Sequence, residues 1–211
     1  MRLQMVAALL FCALPLFSAV SALHFSDAEL AAIKQRFGTQ AINRITDFGV
    51  KMRQFRSLER DAQLNRVNTY LNGYLPEYDT IINKNEDYWS TPKEFLAVGY
   101  GDCEEYAIAK YFVLRELGFD TKRLCLGIVR DRYSGGYHMV LLYFKEAGRS
   151  PLVLDNLSFR ILPLSERSDL MQQYCFNESG LFRVGPQGER TPLQGREAKF
   201  EGLMKRIGAG R

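Results

Sequence analysis

Histidine is scarce in this chain: its 211 residues include two, His24 and His138, beside four cysteines, Cys12, Cys103, Cys125 and Cys175. No two of these stand at the short spacings of zinc ligands, which sets a zinc site aside. A large charge excess is also missing. The 28 basic and 24 acidic side chains leave a net charge of +4, too mild to point to nucleic acid. Tryptophan occurs once, as Trp89. No internal repeat and no long low-complexity tract is present, so collagenous and disordered classes are excluded. Beyond the first 22 residues no segment is apolar enough to span a bilayer. What is present is an ordinary globular balance, 46% hydrophobic and 25% charged, in a length that suits one domain with a real core.

The first 22 residues differ from the rest. Arg2 is their one charge, an apolar run covers Met5 to Phe17, and small residues lead to Ala22. That order reads as a secretory signal peptide cut after Ala22, and the run is too short for a membrane anchor. Large Phe11 precedes Cys12 where a lipoprotein site wants a small residue. Export leaves Cys103, Cys125 and Cys175, and an odd number implies at least one free thiol. Either Cys125 pairs with Cys175 or all three are reduced. The apolar strand around Cys125 favours an inert buried thiol there.

Helical signals fill the first half. Ser26-Asp27-Ala28-Glu29 is a capping box ahead of Leu30, Ile33 and Phe37. A second helix is predicted over about 40–55, with Ile42, Ile45, Phe48 and Met52 inward, and a third over about 60–74, closed by Pro76. Thr91-Pro92-Lys93-Glu94 combines a capping box with proline at the first helical position and predicts a short helix ending near Gly101. Asp102 then reads as the N-cap of a helix from Cys103 to about Leu117, with Gly118 beyond its end. From there the period changes to strands: 123–131, a Ser134-Gly135-Gly136 turn, 137–144, 152–155, and further strands near 159–162 and 174–176. Helices followed by a hairpin-rich sheet make an α+β fold. Residues 23–182 are read as the working domain. Residues 183–211 are read as a basic, glycine-containing tail, surface-docked or partly disordered, with a weak helix over 191–207.

The chemistry gathers around Gly101-Asp102-Cys103-Glu104-Glu105-Tyr106. A cysteine in the first turn of a helix meets unpaired N–H groups and the positive end of the macrodipole, which favour a thiolate and an oxyanion. His138 opens an apolar strand after the Gly-Gly turn, and a hairpin-borne histidine against a helix-borne cysteine is the papain-type arrangement. Asp155 ends the next strand, in Leu152-Val153-Leu154-Asp155-Asn156, where a carboxylate after three apolar residues calls for a partner such as the imidazole. Asn156 is the fallback, on the other side of the strand. Asp102, Glu104 and Glu105 place three carboxylates beside Cys103. They suit helix capping and the dipole, and also a hard cation.

Trp89 to Phe95, Gly101 to Tyr111, His138 to Leu141 and Leu152 to Leu157 together closely resemble the bacterial transglutaminase-like cysteine proteinases, over about 87–159. Cysteine, histidine and aspartate stand in that family's order, 35 and then 17 residues apart. The resemblance implies a papain-like, transglutaminase-like core with N-terminal helices and a catalytic helix packed on an antiparallel sheet. It implies a periplasmic endopeptidase with Cys103, His138 and Asp155 as its catalytic groups. The implied substrate is the N-terminal region of a large surface adhesin, cut within a di-alanine-containing site so that the cell leaves the biofilm. The implied restraint is capture by the periplasmic domain of an inner-membrane cyclic di-GMP receptor. It also implies a calcium ion on Asp102 and Glu104, with Glu105 as a third ligand. A transglutaminase or amidase using the same three groups, and a silent binding module of the same fold, are the alternatives. Trp89 is expected in the wall of the site.

Overall fold

A computed structural model describes residues 22–76, 88–185 and 187–209. The predicted leader, residues 1–22, lies outside the described residues except for Ala22. Helix α1 (Asp27–Arg56) starts on the predicted capping box: Ser26 Oγ accepts from the Glu29 N–H, and Glu29 accepts from the Ser26 N–H at 2.7 Å. Gly38, with φ 77°, breaks the run into the two predicted pieces. The second piece buries Ala41, Ile45, Phe48, Met52 and Phe55. Ile42 is half-buried, one position off the inward stripe. Helix α2 (Arg60–Leu71) buries Leu64, Val67 and Leu71. It stops earlier than predicted, because Asn72 and Gly73 form a turn, and Pro76 instead belongs to a two-residue strand β1 (Leu75–Pro76).

Helix α3 (Pro92–Val98) carries the second capping box and ends at Gly99 in the left-handed conformation. Its last carbonyls lack helical partners. Arg44 of α1 reaches over to those of Leu96, Ala97 and Val98. Strand β2 (Tyr100–Gly101) pairs in parallel with β1 and leads directly into helix α4 (Cys103–Glu116). Ten residues of α4, from Glu105 to Leu114, are buried, so this helix runs through the core.

The sheet holds β3 (Leu124–Asp131), β4 (Tyr137–Tyr143), β5 (Leu152–Asp155), β6 (Ser158–Pro163), β7 (Leu170–Asn177), β8 (Gly180–Val184) and β9 (Arg190–Leu193). Its spatial order is β6-β5-β4-β3-β7-β8-β9, and every neighbouring pair is antiparallel. Alternation along the strands gives it two faces. Leu124, Leu126, Met139, Leu141 and Leu154 join the helical core around α4, while Cys125, Val129, Val140, Leu142 and Val153 form a second cluster.

Two expectations are corrected here. Cys125 is not an inert thiol: it is disulfide-bonded to Cys175 across neighbouring strands β3 and β7, with the Cα atoms 5.6 Å apart. A buried disulfide is as apolar as its strand context, so that context did not distinguish the two states. The C-terminal residues form β9 and helix α5 (Ala198–Ala209), where one weak helix over 191–207 was predicted. Helix α5 buries Phe200 and Leu203, and the Phe200 ring lies 5.5 Å from Phe176 and 6.0 Å from Tyr111.

Candidate active site

The N-terminus of α4 is built by three carboxylates around Cys103, each with a different task. Asp102 is the N-cap, and its Oδ1 accepts from the Glu104 N–H at 3.2 Å. Glu105 closes a third capping box by accepting from the Asp102 N–H at 3.2 Å. Its other oxygen accepts from the Ser90 N–H at 2.8 Å, which ties the segment before α3 to the start of α4. Glu104 turns toward the thiol, and Cys103 Sγ donates to its Oε2 at 2.9 Å.

Cys103 is the free cysteine among the described residues. The positive helix end favours its thiolate, yet burial pushes the thiol up, reinforced by the charge of Glu104 and its hydrogen bond. The Met139 N–H donates to the sulfur and pulls the other way. That contact sets the thiol beside β4 at the residue after His138. Burial also pushes Glu104 up to about 7, reinforced by the hydrogen-bonded carboxylate of Asp102, while the Cys103 thiol opposes the rise.

His138 is buried at the start of β4, and its Nε2 lies 2.8 Å from Asp155 Oδ1 at the end of β5. Asp155 is fully buried. Burial alone raises a carboxylic acid. Hydrogen bonds from His138, from the Leu157 N–H at 3.0 Å and from Arg167 at 2.7 Å overcome it and hold Asp155 below the usual carboxylate range. The imidazole therefore points Nε2 at the carboxylate, which leaves Nδ1 for another partner.

The structure brings Cys103 to β4 and His138 to Asp155, and it clusters Asp102, Cys103 and Glu104 with ligand atoms within 4.8 Å of one another. It does not bring Glu105 into that cluster, because its two oxygens serve backbone N–H groups. Trp89, expected in the wall of the site, is buried and stacks on Phe176, with centroids 5.7 Å apart and planes 7° apart.

Three supports of the site escaped the sequence reading. Arg167 bridges Asp155 and Asp169, its Nη2 lying 2.7 Å from the first and 2.6 Å from the second. Its polar neighbourhood in sequence gave no signal. Asn72 donates from the C-terminal cap of α2 to the Asp155 carbonyl at 2.8 Å and to the Ser158 carbonyl at 3.0 Å, fixing the β5–β6 turn. Lys110 sits on α4 with no exposure at all, and burial pulls it down to about 7 against the opposing charge of Asp155. One cation inside the apolar run from Tyr106 to Leu114 was a legible signal for it.

A half-buried thiol at a helix start, facing a sheet whose adjacent strands hold a histidine–carboxylate pair, is the layout of thiol hydrolases with a papain-like or transglutaminase-like fold. The model of the bacterial transglutaminase-like cysteine proteinases (BTLCP) matches residues 45–176, and the chain belongs to that family. LapG of Legionella pneumophila in its calcium-bound form is 32% identical, with a TM-score of 0.74 over 87% of this chain and 99% of that one. The EGTA-treated form of the same protein is 31% identical, with a TM-score of 0.73 over 87% and 98%. Comparison with curated proteins finds no match.

Proposed function

We propose that this chain is a calcium-dependent cysteine endopeptidase with Cys103 as nucleophile, His138 as general base and acid, and Asp155 as the group that orients the imidazole. The observation that carries the reading is the buried His138–Asp155 hydrogen bond, at 2.8 Å, beside a thiol that accepts from the very next N–H of β4. His138 Nδ1 takes the thiol proton, and the Cys103 sulfur attacks the scissile carbonyl carbon. The oxyanion lies where the N–H of Cys103, at the helix start, can donate to it. Collapse breaks the peptide C–N bond, and the leaving amine takes the proton from His138. Water then gives a proton to the same nitrogen, attacks the thioester and releases the acid and the thiol. Asp155 stays ionised throughout, because Arg167 and the Leu157 N–H hold it as well as His138 does.

The donor set at the helix start fits a calcium ion. Asp102 and Glu104 are two oxygen donors close together, and the carboxylate of Asp102 adds to burial in pushing Glu104 up, a repulsion that a cation relieves. A bound ion supplies positive charge that offsets these carboxylates and so lowers the cost of a thiolate at Cys103. Glu105 keeps its capping role and is left out of the ligand set. The calcium-bound LapG structure supports the ion by analogy.

The substrate and its control follow from the family resemblance: a large surface adhesin cut in its N-terminal region, in the periplasm, with release of the cell from the biofilm. Capture by an inner-membrane cyclic di-GMP receptor restrains the enzyme. The test is cleavage of the N-terminal region of a large adhesin from the same organism, with calcium or with a chelator. Cleavage that vanishes on chelation, returns with calcium and is absent in Cys103→Ala is the expected result. An active Cys103→Ala protein overturns the mechanism, and cleavage indifferent to chelation removes the ion.

A further inference from the structure

Helix α4 carries a lysine where its packing calls for an apolar residue. Lys110 lies seven residues after Cys103, about two turns along the same helix. It is fully buried between buried Ala109 and Tyr111, and its Nζ makes no hydrogen bond among the described residues. An ammonium removed from water without a hydrogen bond is costly, so the fold gains nothing from it that methionine would not give. Two buried acceptors, Oδ1 of Asn68 on α2 and Oδ1 of Asn72 just after it, also lack partners, yet Lys110 donates to neither. The group whose charge it feels is Asp155, and α4 packs directly on β5, which ends in that residue.

The charges around Asp155 give this a reason. Arg167 is the other cation there, but Asp169 engages it more closely. Its Nε lies 2.9 and 3.2 Å from the two Asp169 oxygens and its Nη2 lies 2.6 Å from one of them, against one contact at 2.7 Å to Asp155. Arg167 with two carboxylates leaves one negative charge in excess, at a fully buried residue. Lys110 is the buried cation that balances it.

We propose that Lys110 is a positioning residue of this site. From inside the core its positive charge compensates Asp155 and keeps that carboxylate fixed on His138 Nε2, so that Nδ1 is presented to Cys103. The inference rests on the reading of Cys103, His138 and Asp155 as the working groups.

The test is Lys110→Met in the purified protein, with three measurements. The first is the rate of Cys103 alkylation by iodoacetamide near pH 6, which needs no substrate. The second is kcat and KM for adhesin cleavage. The third is the NMR resonance of the His138 Nε2–H in histidine-labelled protein, readily assigned because the sequence has two histidines. Alkylation and kcat fall about tenfold with KM within about twofold, as expected when a reacting group is misplaced. The Nε2–H resonance shifts, because the carboxylate that it bonds has lost its compensating cation. A folded Lys110→Met protein with wild-type alkylation and an unmoved resonance overturns the proposal. Should that variant not fold, Lys110→Gln removes the same charge and carries the same expectations. Failure of the underlying reading shows separately, as cleavage retained in His138→Ala, while the resonance still reports the link from Lys110 to Asp155.

Discussion

Arg167 holds Asp155 through an ion pair in which the carboxylate has no solvent exposure and the guanidinium side chain about one-tenth. Removing one partner of such a pair leaves a buried charge uncompensated. Arg167→Met is expected to cost about 3 kcal/mol, the lower end for a broken buried pair, because His138 and the Leu157 N–H remain. The pH dependence follows from Asp155. Its folded value is depressed below the ordinary 3.8, so the stability it contributes is present above 3.8 and is lost as pH falls through the lower folded value. Without Arg167 one of the contributions that lower Asp155 is lost, so the folded value climbs while His138 and the Leu157 N–H still hold it down. Thermal midpoints followed from about pH 7 to pH 3 then begin to fall at higher pH in the variant than in the wild type. Parallel curves would mean that Arg167 does not set the ionisation of Asp155. At this scale the sequence was legible where residue type and local spacing carry the chemistry. Cys103 after an N-cap, His138 after a turn and Asp155 after three apolar residues each announce themselves. Arg167 did not, because its partner lies twelve residues away and the segment between reads as an ordinary polar loop.

Elements hold the site through their ends. The chain passes from α3 through Gly99 in the left-handed conformation, then β2, and enters α4 at Cys103 within four residues. Gly101 is the tightest point of that passage. A Cβ there would stand 2.7 Å from the Glu105 Cβ and 3.2 Å from the Phe95 ring. Glu105 cannot swing aside, since its carboxylate is held by the Ser90 and Asp102 N–H groups. Gly101→Ala is therefore expected to cost about 1–3 kcal/mol as overpacking, and to slow Cys103 alkylation because the first turn of α4 must shift. Gly208→Ala in α5, where nothing stands within 4 Å, is the control and should leave both measurements unchanged. Equal behaviour of the two variants would show that the close approach at Gly101 does not matter. The capping boxes at Ser26 and Thr91 were readable because each is a contact over three residues, while at the third the sequence showed the Asp102 N-cap but not the return bond to Glu105. The C-terminal end of α2 and the nature of β9 were not. A turn at Asn72 competes with a distant proline, and Arg190–Leu193 is strand because it pairs with β8, a contact no local pattern encodes.

Across the whole molecule the sheet separates two tasks. One face receives α4 and the helices around it, and carries the contact between β4 and the Cys103 sulfur. The other face holds the cluster that contains the disulfide between Cys125 and Cys175, 50 residues apart in sequence. That bond shortens the loops open to the unfolded chain without touching the thiol, which predicts that stability and reactivity come apart. Replacing both residues by alanine is expected to lower stability by about 3–4 kcal/mol for a loop of that length, or roughly 10 °C in thermal midpoint for a domain of this size. Over the same comparison at 25 °C, the alkylation rate of Cys103 and the kcat for cleavage should stay within about twofold of wild type, because α4, β4 and β5 keep their mutual packing. A double variant that is still folded at 25 °C but has lost the reactivity of Cys103 would show that the disulfide cluster shapes the site through the sheet. An unchanged thermal midpoint would show that the cross-link constrains nothing that the rest of the core does not already fix.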